Sequence, residues 1–456
     1  MGMGGDRPRT RLLVEAMQSP RLAFRSDFAP PTPTPPHKGE GRTFCLADWS
    51  DMPDSNPEAV RRLLKPAAVR ERAQEMLQLG LAGRLAHFSV HPERLAACAA
   101  YVLETIRQNY PSLDIPFHAR WRHFVIAGMD RWKVLDAGAQ FADARARGRA
   151  AYDLAVVSVL LDAGAGADWR YRDAVTGQSI SRSEGLALAS LDMFAAGAFS
   201  SDPAEPLRVD SEALRHLDAA ALAAGFQVSE GNPLVGLGGR AALLNRLGEE
   251  LEKHGLTRPG DLFDRLMEAA EGRSIRAAYI LSQVLEALGG IWPSRLSYAG
   301  IALGDSWKHP LIAPGEVTAG IVPFHKLSQW LSYSLIEPLQ WAGIQVVGID
   351  DLTGLPEYRN GGLLLDLGVL ELKDPADAAR AHEVGSQLVV EWRALTVALL
   401  DKIGELVRAE LGMSAEQLPL AKVLEGGTWA AGRRIAREKR EGGGPPLTIV
   451  SDGTVF

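Results

Sequence analysis

PFHKLSQWLSYSLIEPLQWAGIQVVGIDDLTGLPEYR, residues 323–359, carries the choice between a sheet protein and a helical one. In its first half Leu327, Trp330, Leu331 and Leu335 share one face with Ser334, which predicts an amphipathic helix over 324–342. Only a short β-branched run follows, at 344–349, and then an acidic loop with Asp350, Asp351, Glu357 and Arg359. Lys326 falls in the first turn of the predicted helix, where the macrodipole disfavours a cation. A charge there reads equally as a surface lysine or as a functional one. Asp350 and Thr353 can cap the next turn. Arg359 either bridges to Asp351 or Glu357 for structure alone, or joins a cluster in which an amine and carboxylates tune one another.

Helical patterns recur on both sides of this stretch. Proline at Pro57 and Pro66 marks two helix starts. Leu95, Cys98, Ala99 and Val102 share a face within 92–109. Ser181 and Glu184 have capping-box spacing ahead of a helix over 185–199. Further windows are 148–163, 211–224, 239–253, 274–288, 376–411 and 414–425. The remaining strand signals are 447–450 and, after a Ser-Asp-Gly turn, 454–456. Strands and helices do not alternate, so a doubly wound sheet is not expected. The fold class expected is mainly α with a few short strands.

The chain has 456 residues, enough for one large domain. Residues 1–55 look foreign to the rest: PPTPTPPHKGEGR, 30–42, is too rich in proline, glycine and charge to bury a core, and reads as a disordered leader. Residues 56–456 are expected to form a single large helical domain, with two packed lobes, about 56–235 and 236–456, as the alternative. The apolar share of 46% and charged share of 23% are ordinary for a globular protein. A formal net charge of −7 argues against a duplex nucleic-acid partner. No apolar run is long enough for a membrane span. Two cysteines, Cys45 and Cys98, make neither a disulfide framework nor a multi-cysteine zinc site. With no signal-peptide pattern, a cytoplasmic location is expected.

The P-loop, the H-E-x-x-H zinc helix and the G-x-S-x-G elbow are absent, and no cofactor or metal is implied. VGLGGR, 235–240, reads as a helix-start turn rather than a phosphate cradle. PFHARWRHF, 116–124, packs two histidines, two arginines, a tryptophan and two phenylalanines into nine residues. His118 and His123 lack the i, i+4 spacing of a helical metal pair. Arg120 and Arg122 can fork onto a phosphate or carboxylate, but a packed aromatic–arginine corner is the favoured reading. Asp162, beside Gly164 and Gly166, either faces a pocket or, more often for such a residue, closes a helix end by hydrogen bonding.

Two resemblances reach a reaction. DIPFHARWRHF, DLAVVSVLLDAGAGADWRY, SEGLALASLDMFAAGAFS, DDLTGLPEYRNGGLLLDLGVL and the terminal SDGTVF resemble a family tied to uracil catabolism in fungi and bacteria. More distantly, the order H-K…Q-x-L…I-D-D-L-T-x-x-x-E-Y-R…L-G-x-L is similar to the queuosine-nucleotide salvage glycosidases. That likeness implies a helical body like that of the DNA glycosylases. It carries a helix-opening lysine onto Lys326 and a catalytic carboxylate onto Glu357. This chain has Glu where that family has Asp, and Pro356 where it has Ala. VVEWRALTV, 389–397, matches a late helix in which Glu391 and Arg393 are implied as buried polar supports.

The function implied is hydrolysis of the ribose–nitrogen bond of a uracil-derived ribosyl intermediate, ribosylurea or its phosphate. Glu357 is the expected carboxylate, with Lys326 and Asp351 assisting. Asp350 is expected to orient the ribose, Arg359 and Arg120 to take a phosphate, and Trp121, Trp330 or Tyr358 to stack on the planar group. Core packing is the favoured alternative for each aromatic. Two other functions stay open: a non-catalytic partner that binds a pathway intermediate, and a hydrolase of a C–N amide bond.

Overall fold

A computed structural model of the chain describes residues 56–162, 164–166, 168–292 and 296–450. The 30–42 leader and the terminal SDGTVF, with its 454–456 strand signal, lie outside the described residues. The chain divides into two units, Met1–Asn56 and Pro57–Phe456, and the elements below belong to the second.

The fold is mainly α, as the patterning predicts. Its axis is the helix Gln387–Leu411, in which every residue from Leu388 to Leu400 is buried. A mostly apolar helix buried on all sides belongs to a core, and Glu391 and Arg393 are buried within it. Ser386 caps its start by accepting the Val389 N–H, and Gly412, at φ 64°, ends it. The helices Pro66–Leu81, Leu95–Asn109 and Tyr358–Asp366 pack around it.

A second group is built on Ala144–Leu160, buried from Ala150 to Leu160, which packs against Lys326–Trp341. The Tyr152 hydroxyl ties the two by donating to the Leu335 carbonyl at 3.0 Å. Arg182–Ala195 and Asp261–Ala269 cover the first helix, and Ala277–Leu288 covers the second.

Among the described residues strands occur only in two-stranded pairs. The 344–349 run contributes Gln345–Val347, parallel to Ser274–Arg276, and the 447–450 run contributes Thr448–Val450, parallel to Ala381–Glu383.

Four expectations need correction. The 414–425 window becomes helical only at Leu420, and helical structure runs on to Lys439. The 211–224 window is two helices, Ser211–His216 and Ala219–Gly225, because Asp218 caps the second by accepting the Ala221 N–H at 2.7 Å. The 376–411 window becomes helical only at Gln387, after a 3-10 turn and a strand. The capping box at Ser181 does not form: Ser181 makes no side-chain cap bond, and Glu184 reaches Arg433 at 3.0 Å.

Candidate active site

Two helix starts define the site. Lys326 is the first residue of its helix, after His325 turns the chain at φ 49°. Asp305 caps that start: its Oδ2 accepts the Lys326 N–H at 3.0 Å while both carboxylate oxygens accept from Arg393, at 2.8 and 2.7 Å. Burial alone would raise the Asp305 carboxyl, but the charge and hydrogen bonds of Arg393 outweigh it and hold the group well below the usual carboxylate range. The Lys326 amine is held below the usual lysine value, first by removal from water and then by Arg393, while Glu357 acts in the opposite sense.

Glu357 caps the helix Tyr358–Asp366. Its Oε2 accepts the Arg359 N–H at 2.9 Å and its Oε1 accepts the Asn360 N–H at 2.6 Å. Each carboxylate oxygen keeps a lone pair beyond the one so used. The loop before Glu357 is pinned to the Lys326 helix. Gln329 donates to the Thr353 hydroxyl at 2.6 Å and accepts the Thr353 N–H at 2.7 Å, and Tyr333 donates to the Thr353 carbonyl at 2.9 Å.

This pinning brings Lys326 and Glu357 to the wall of one cavity of about 370 Å³. Trp330, Tyr358 and Arg359 line it too. The buried indole N–H of Trp330 has no acceptor among the described residues. Arg359, 7% exposed, bridges to neither Asp351 nor Glu357; its guanidinium lies 4.3 Å from the Trp429 ring centre and 5.3 Å from that of Tyr358.

His118, His123, Asp162 and Trp429 line the cavity as well. His118 Nδ1 meets the Glu425 carboxylate at 2.7 Å, which leaves Nε2 as the ring nitrogen without a partner among the described residues. Glu425 stands in a π-helical turn, Leu424–Thr428. Burial, then the Arg120 charge, keeps the His123 imidazole neutral well below its ordinary value. Asp162 both lines the cavity and bonds, accepting from Arg120 at 2.7 Å and from Ser183 at 3.1 Å.

Four of the expected site residues lie off the wall. Arg120 is fully buried behind it, bonded to Asp162 and to the Ser158 hydroxyl at 2.7 Å. Trp121 is core: its N–H donates to the Ser334 carbonyl at 2.7 Å, and its ring packs on Trp132 and Trp341. Asp350 bonds Arg408 at 3.1 Å and caps Leu420 at 2.6 Å. Asp351 pairs with Arg276 at 2.5 Å near the surface. Both aspartates serve structure: they bond Arg408, Leu420 and Arg276, and only Glu357 of this loop's acids lines the cavity.

Sequence reading passed over Trp429, Glu425, Arg182, Arg433 and the 443–445 turn. The run EGGTWAAGRR, 425–434, held the available signal: paired glycines beside an aromatic and two arginines, just past the 414–425 helical window.

A family model described as "Protein of unknown function (DUF1688)" matches residues 62–456. The chain belongs to this family. Every cavity residue of this DUF1688 member named above falls inside the matched segment. Two relatives carry more descriptive names. "Protein urg3" of Schizosaccharomyces pombe is 41% identical over 410 residues, covering 88% of this chain and 99% of that protein. "Uracil catabolism protein 4" of Lachancea kluyveri is 37% identical over 410 residues, covering 81% of this chain and 92% of that protein. No described helix of this DUF1688 protein is long and apolar enough to cross a membrane.

Proposed function

We propose that this protein acts in uracil catabolism as an N-glycosidase, hydrolysing the ribose–nitrogen bond of ribosylurea or its phosphate. The pathway assignment draws on the relative named for uracil catabolism. The reaction draws on one observation above all: Glu357 and Lys326 share a cavity with an aromatic wall and an arginine that no carboxylate neutralises among the described residues.

Cleavage of an N-glycoside builds positive charge on the ribose ring. The Glu357 carboxylate, held by two backbone N–H groups, offers its remaining lone pairs to that cation and to the attacking water. Water adds its oxygen to C1′ and one proton passes to Glu357. The C1′–N bond breaks, and the leaving nitrogen takes a proton. His118, oriented by Glu425, and Lys326 are the two groups of this cavity suited to supply it. The planar ureido group lies against Trp330 and Trp429.

The test is direct. The protein is incubated with ribosylurea, ribosylurea 5′-phosphate and uridine nucleotides, and free urea, free base and the ribose product are quantified. Stoichiometric release of ribose product with urea or base supports the reading. Binding without turnover would make the protein a holder of the intermediate, and ring opening without ribose release would make it an amide hydrolase.

A further inference from the structure

We propose that Arg182, Arg359 and Arg433 form a site for a phosphomonoester dianion, so that the ribosyl ligand is taken in its 5′-phosphorylated form. This rests on the glycosidase reading and names its substrate class. A narrow recess adjoins the main cavity, and the two share Arg182, Tyr358, Arg359 and the 443–445 turn as walls. Arg433 lines the recess.

The recess has unbalanced charge. Arg359 and Arg433 stack on the same Trp429 indole, 4.3 and 4.9 Å from its centre. Glu184 pairs with Arg433 at 3.0 Å, but among the described residues no carboxylate pairs with Arg359 or Arg182. Arg437 lines the recess as well, so four guanidiniums stand against the one carboxylate of Glu184, an excess of positive charge that a phosphate monoester dianion would offset. Arg440 also lines the recess, but Asp366 already takes it with two bonds of 2.6 Å.

Like charges packed in this way oppose one another. Burial and then the Arg359 charge push the Arg433 guanidinium below its usual value. Arg359 is 7% exposed and, among the described residues, no carboxylate bonds its guanidinium, which leaves those N–H donors for a ligand. Arg182 is held at φ 60°, a left-handed conformation rare outside glycine, at the wall common to both hollows. A carboxylate ligand would bring one charge and two oxygens. A phosphate brings about two charges and three terminal oxygens, which suits several arginine forks.

Calorimetric titration of the full chain with ribose 5-phosphate, ribose and inorganic phosphate tests this without catalysis. Ribose 5-phosphate is expected to bind at least about ten-fold more tightly than ribose or inorganic phosphate. Raising the salt narrows the gap with ribose. Arg182→Ala, at an exposed side chain, and Arg359→Ala, checked for an unchanged thermal transition, each remove most of the preference; Arg359→Lys keeps part of it.

Equal binding of ribose and ribose 5-phosphate would overturn the proposal, as would a preference that survives both alanine substitutions. Inorganic phosphate binding as tightly as the sugar phosphate would mark a free-phosphate site and overturn the substrate assignment. A clear preference for ribose 5-phosphate with no turnover of any ribosylurea would sink the glycosidase and leave this site standing. Hydrolysis of ribosylurea at the same kcat/KM as its 5′-phosphate would do the reverse.

Discussion

Asp305 grips Arg393 through both carboxylate oxygens, at 2.8 and 2.7 Å, and with one of them also accepts the N–H of Lys326 at 3.0 Å. One side chain thus joins the central helix to the start of the helix that carries the cavity lysine. Arg393 is 1% exposed, so removing Asp305 breaks a buried ion pair. Asp305→Ala is expected to cost about 3–5 kcal/mol in denaturant unfolding. The pH dependence has a definite sign. Arg393 holds the Asp305 carboxyl below its unfolded value, so the pair contributes fully above about pH 4 and is lost as pH falls further. The stability gap between wild type and Asp305→Asn should therefore be constant near neutrality and narrow below about pH 4. A gap independent of pH down to acid unfolding would contradict the joint.

Lys326 is expected to act as a cation, and burial keeps its amine below the ordinary lysine value. The kcat/KM for ribosylurea 5′-phosphate should fall on the alkaline side below about pH 10.4, where an exposed lysine would still be charged. Lys326→Arg should move that limb upward or remove it, and Lys326→Met should lower kcat/KM at neutral pH by about 10²-fold. An alkaline limb unchanged in the arginine variant would take Lys326 out of the pH dependence.

Gly432 lets two helices touch. A Cβ on it would lie 2.3 Å from the Arg359 carbonyl oxygen, a backbone atom that cannot swing aside. Gly432→Ala should cost about 1–3 kcal/mol by overpacking. It should also weaken ribose 5-phosphate binding, because the helix bearing Arg359 must shift from the one bearing Trp429. Thermal unfolding and titration together check this; wild-type values in both would contradict the close packing.

The helical class was legible because its longest elements have strong 3.6-residue patterns, as in Leu327, Trp330, Leu331 and Leu335. Tyr358–Asp366 was hidden. It is nine residues long, and its cap is a glutamate rather than one of the favoured cap residues. The pairing of Glu357 with Lys326 came from order along the chain and from a resemblance. What joins them in space is the Gln329–Thr353 hydrogen-bond pair, which no local pattern announces. Asp350 and Asp351 looked like site residues because their actual partners, Arg408, Leu420 and Arg276, are distant in sequence. Trp121 and Trp330 are equally aromatic on paper, and only packing separates the core ring from the cavity wall.

The central claim is that the Glu357 carboxylate carries the chemistry. Urea release from ribosylurea 5′-phosphate, measured for wild type and Glu357→Gln with thermal unfolding of both, tests it most directly. Glutamine keeps one acceptor for the helix cap, so stability should fall by no more than about 1–2 kcal/mol, while urea release should drop by at least about 10³-fold. A folded glutamine variant that frees urea at the wild-type rate would contradict the account.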